Sequence, residues 1–62
     1  MDYQIIRIIN RFNNAKIPMQ ITVESDKITV DVMWGAIIYR LQGDNLLEVL
    51  NKAEKDVFEW TE

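Results

Sequence analysis

Residues Val30 to Arg40, VDVMWGAIIYR, decide the fold, because they read either as one long strand or as two strands folded back at Trp34-Gly35. A strand running straight through to Leu41 would span about fifteen residues against a usual five or six, and half of it would lack a partner. The alternation also changes phase. Ile28, Val30 and Val32 form the apolar set before Trp34, whereas Ile37, Tyr39 and Leu41 form the set after Gly35. A two-residue turn at Trp34-Gly35 demands this flip, since even positions of one strand then share a face with odd positions of the next, and Gly35 supplies the positive φ of a tight turn. A β-bulge at Gly35 would also shift phase while letting the strand continue and pair across a dimer. The hairpin is the favoured reading.

Working back from this stretch, Met19, Ile21 and Val23 alternate with Gln20, Thr22 and Glu24, the period of a half-buried strand. With Ser25-Asp26 as a hairpin tip, Val23 faces Ile28, Ile21 faces Val30 and Met19 faces Val32. The two hairpins together predict core rows Met19-Val32-Ile37, Ile21-Val30-Tyr39 and Val23-Ile28-Leu41. The outer face then collects Gln20-Asp31-Ile38 and Thr22-Thr29-Arg40.

Both ends of the chain read as amphipathic helices. Ile5, Ile8, Ile9 and Phe12 recur at helical spacing on one face, with Gln4, Arg7, Arg11 and Asn14 roughly opposite; Asn13, Asn14 and Pro18 mark the end. Gly43 and Asp44 interrupt the strand pattern, and Asn45 with Glu48 has the spacing of a capping box. Leu46, Val49, Leu50, Ala53, Val57 and Trp60 form the second apolar stripe, with Leu47 and Phe58 on its flank. The expected architecture is α+β: a single α-β-β-β-α domain over residues 1–62, a three-stranded antiparallel meander with both helices packed on one face. Its helices are placed at about 2–15 and 45–60 and its strands at about 19–24, 27–33 and 36–41.

Sixty-two residues lie at the small end of what folds alone. Cysteine and histidine are both absent, so neither a disulfide framework nor the usual zinc ligand sets are available, and no cofactor or metal is expected. Self-association is the remaining aid, and a homodimer is expected. Its candidate contacts are Tyr3 and Ile6 on the first helix, Leu47 and Phe58 on the second, and the edge of the third strand. No apolar run approaches the roughly 20 residues that span a bilayer, and the first residues lack a signal-peptide pattern, which implies a cytoplasmic protein without a membrane partner. Nine isoleucines and five asparagines point to an AT-rich coding sequence, as in a low-GC bacterium or its phage or mobile elements.

Charge is unevenly distributed. Residues 1–16 carry +2 (Arg7, Arg11 and Lys16 against Asp2), residues 17–43 carry −1 and residues 44–62 carry −4. The two ends should therefore attract each other. Enzymatic chemistry has little to work with: Ser25 is the only serine and lies at a polar tip, no histidine can act as base, and no glycine-rich phosphate loop occurs. The element order is shared with double-stranded RNA-binding domains, but the last helix here opens as GDNLLEVL, without a basic residue to meet phosphate. Nucleic acid is therefore not the expected ligand. Trp34 beside Met33, with Ile38 on an otherwise polar face, points to a non-enzymatic protein–protein interaction module binding through Met33, Trp34 and Ile38. The alternative is an acidic nucleic-acid mimic or nucleic-acid-associated regulator acting through Glu48, Glu54, Asp56, Glu59 and Glu62.

Overall fold

The computed structural model describes residues 2–59. Its elements are α1 (Tyr3–Asn14), β1 (Met19–Val23), β2 (Ile28–Trp34), β3 (Ile37–Gly43), α2 (Leu46–Glu54) and a terminal π-helical turn (Lys55–Glu59), an α+β domain built on an antiparallel meander in the order β1-β2-β3. The expected stripe residue Trp60 lies outside the described residues. Among these residues, no helix is long and apolar enough to cross a membrane.

Each helix starts on a side-chain cap, which satisfies backbone N–H groups that the first turn leaves unpaired. Asp2 Oδ1 accepts from the Gln4 amide at 2.8 Å, and Asn45 Oδ1 accepts from the Glu48 amide at 3.1 Å, as the capping-box spacing implies. The end of α1 is a Schellman motif: the Ile17 amide donates to Phe12 O at 3.0 Å and the Lys16 amide to Asn13 O at 3.1 Å. The residue that takes the left-handed conformation is Lys16, at φ 59°.

The first hairpin has the expected register, Met19 against Val32 through Val23 against Ile28. The second is a hairpin, not a bulged long strand, but its loop is Gly35-Ala36 rather than Trp34-Gly35. The correction has a steric cause. Glycine in the second loop position would have suited a turn with positive φ at both central residues, forcing bulky Trp34 into that region; with glycine first, at φ 64°, Ala36 keeps a negative φ, as in a type II′ turn. Trp34 therefore ends β2 instead of forming the tip.

This change slides β3 along β2 without turning any residue over. Ile37 faces Trp34 instead of Val32, Tyr39 faces Val32 instead of Val30, and Leu41 faces Val30 instead of Ile28, whose partner is Gly43. On the outer face Ile38 meets Met33 rather than Asp31. Arg40 meets Asp31 rather than Thr29, donating from Nε to Asp31 Oδ1 at 2.8 Å.

The core is Ile8 and Phe12 from α1, Val30, Val32 and Leu41 from the sheet, and Val49, Leu50, Ala53 and Val57 from the C-terminal helical segment. α2 lies on β2 and β3, and α1 packs chiefly against α2. Two expected core positions on α1 and β1 are corrected by this arrangement. Ile9 is exposed, because α1 buries only the stripe that meets α2, and Val23 is 69% exposed, because the helical cover lies over β2 and β3 and leaves the far end of β1 open. Gly43 lets α2 come close: a Cβ built there would stand 2.7 Å from Val49 Cγ2.

Candidate interaction surface at the turn end of the second hairpin

The three residues expected to form one partner-binding surface share an end of the molecule but not a face. Met33 pairs with Ile38 on the outer face of the sheet, while Trp34 pairs with Ile37 on the helix-facing side. The pleat requires this, since neighbouring residues of a strand point to opposite faces. Around the Gly35-Ala36 turn the hairpin is thus apolar on both sides. Ile37 is 63% and Ile38 67% exposed, Met33 is partly exposed, and Trp34 packs half-buried against the core. Ile37 was expected in the core; beyond the end of the helical cover it has only Trp34 across the ladder.

On the helix-facing side Trp34, Ile37, Tyr39 and Val57 wall a cleft of about 600 Å³, with Lys55, Asp56 and Glu59 at its polar rim. The π-helical turn supplies that rim. Tyr39 Oη donates to Asp56 Oδ2 at 2.6 Å, joining the floor of the cleft to its wall. This hydrogen bond to the carboxylate favours the neutral phenol and holds the Tyr39 hydroxyl above its ordinary range. Chemically the cleft offers an aromatic and aliphatic lining with a few fixed polar groups, the usual makeup of a site that receives an apolar side chain or small amphipathic group.

The other candidates lie elsewhere. Tyr3 and Ile6 stand exposed on α1, whereas Leu47 and Phe58 are half-buried against their own core. Phe58 meets Phe12 edge-on, centroids 4.9 Å apart, and the Arg11 guanidinium lies 4.2 Å over its ring. Of the carboxylates in the acidic reading, Glu54 is bound by Arg7 at 3.0 Å and Arg11 at 3.1 Å, Asp56 by Tyr39, and Glu62 lies outside the described residues. The cleft, Ile37 and the face-splitting of Met33 and Trp34 were not anticipated from the sequence; the adjacent Ile37-Ile38 pair after a turn was the available signal. No family model matches the chain, and neither the curated proteins nor the solved structures compared with it give a match.

Proposed function

We propose that this chain is a small non-enzymatic protein-binding module whose contact surface is the turn end of the β2–β3 hairpin. The observation that carries the reading is the exposure of Ile37 and Ile38 side by side on opposite faces of one tight hairpin, with Met33 and Trp34 behind them. A hairpin end of this kind fits a partner with an apolar groove that closes on both faces, while the Trp34 cleft receives a side chain in return. Buried aromatic and aliphatic anchors of this type carry most of the energy of such contacts. The acidic reading has less support, because Glu54 and Asp56 are already held inside the chain.

The test is capture by the immobilised chain from host lysate at low and high salt, beside the I37S/I38S variant. Both substituted residues are exposed, so the fold should survive. Capture that persists at high salt and is lost in the variant supports the hairpin surface. Capture that is lost at high salt and retained by the variant supports recognition through charge instead.

A further inference from the structure

The free edge of β1 is built to pair, and we propose that it pairs with β1 of a second copy to form a continuous sheet across a two-fold axis. The orientation of its backbone follows from two bonds: the Met33 amide donates to Pro18 O at 2.9 Å, and the Glu24 amide donates to Lys27 O at 2.9 Å. Antiparallel ladders alternate, so even-numbered residues of β1 direct their N–H and C=O groups to β2. Those of Met19, Ile21 and Val23 turn to the open edge. The strand, MQITV, has no charge, and its one nearby proline precedes it. Natural edge strands usually carry guards against pairing. The opposite edge has one: the loop Gly35-Ala36 makes Trp34 and Ile37 a hydrogen-bonded pair, so Ile38, Arg40 and Gln42 face outward there, and Arg40 is charged.

A second copy is the occupant that the sequence of this edge fits. Antiparallel pairing about Ile21 sets Ile21 against Ile21 of the second copy and Met19 against Val23, each pair exchanging both of its hydrogen bonds. Val23, so exposed in one chain, then reaches the helix-facing groove of about 340 Å³ beside Met19 of the other, which Ile9, Phe12 and Ile17 help to line. Apolar edge and receiving groove are thus complementary to themselves in one register.

Sedimentation equilibrium across a wide concentration range tests this, together with amide hydrogen exchange at low and high concentration. The expected wild-type mass rises from 7.3 kDa toward twice that value as concentration increases. Protection of the Ile21 and Val23 amides should rise with it. V23K, which burdens only an exposed position, should keep its circular dichroism spectrum and weaken association at least tenfold. A wild-type mass of 7.3 kDa at every concentration overturns the proposal. So does a dimer in which the Ile21 amide stays unprotected or V23K associates as well as wild type.

Discussion

Lys16 holds a backbone conformation that suits glycine, and the motif around it explains why the strain persists. The two hydrogen bonds that close α1 require a left-handed residue at this position, whatever its side chain. An L-residue there costs about 1 kcal/mol. K16G should therefore raise stability by about 0.5–1 kcal/mol in urea denaturation. The two glycines differ in their needs. Gly35 has open space around it and is there for its φ, whereas Gly43 is there for its missing side chain. Val49 Cγ2 cannot swing aside freely, since a β-branched side chain on a helix has one preferred rotamer. G43A should cost about 1–3 kcal/mol, and clearly less in a V49A background. Equal costs in the two backgrounds would remove the clash as the reason for Gly43.

At the scale of elements, Glu54 ties the two helices together. Its side chain is largely buried and is held by Arg7 and Arg11, which are themselves half in solvent. Burial alone would raise its pKa, but the hydrogen bonds and positive charges of the two guanidinium groups together outweigh burial and hold the carboxyl below its ordinary 4.5. A depressed folded-state pKa contributes stability that is complete above 4.5 and is lost as pH falls through the lower folded value. E54Q should cost about 1 kcal/mol near neutral pH and nothing once the wild-type carboxyl is protonated, so the two stability curves converge in acid. Parallel curves would show that the pair contributes nothing. This tie was legible in the sequence only as opposite charges at the two ends of the chain. The meander was more legible, because period-two patterning and a phase flip report faces directly. Register along β3 was not, because moving the loop by one residue keeps every side chain on its face; only the φ limits of tryptophan, glycine and alanine distinguish the two turns. The candidate site inherited that error. Trp34 and Ile38 are conspicuous in the sequence, but their placement on opposite faces depends on the pleat, and the exposure of Ile37 beside them follows only from the register.

As a whole, the molecule places its helical cover over two of three strands, which leaves one end of β1 open and the turn end of β2–β3 projecting past the core. Such a small domain has little spare stability, so the features that look wasteful are the informative ones. The π-helical turn at Lys55–Glu59 is one of them. In terms of chain length it is an α-helix that contains one residue more than its geometry requires, and such turns recur where function, not stability, has fixed the spacing. Removing Lys55, which is exposed, would place the valine and phenylalanine that follow at three and four residues beyond Ala53, a spacing that an ordinary helix also buries. The deletion variant should therefore fold, losing about 1 kcal/mol as the carboxylate is drawn away from Tyr39. Spectrophotometric titration would then show the Tyr39 phenol ionising at lower pH than in the full-length chain, whereas an unfolded variant or an unmoved titration would contradict this account. The extra residue is thus an insertion that the fold tolerates and the cleft uses, and a shortened chain would keep its architecture while losing one wall of that cleft.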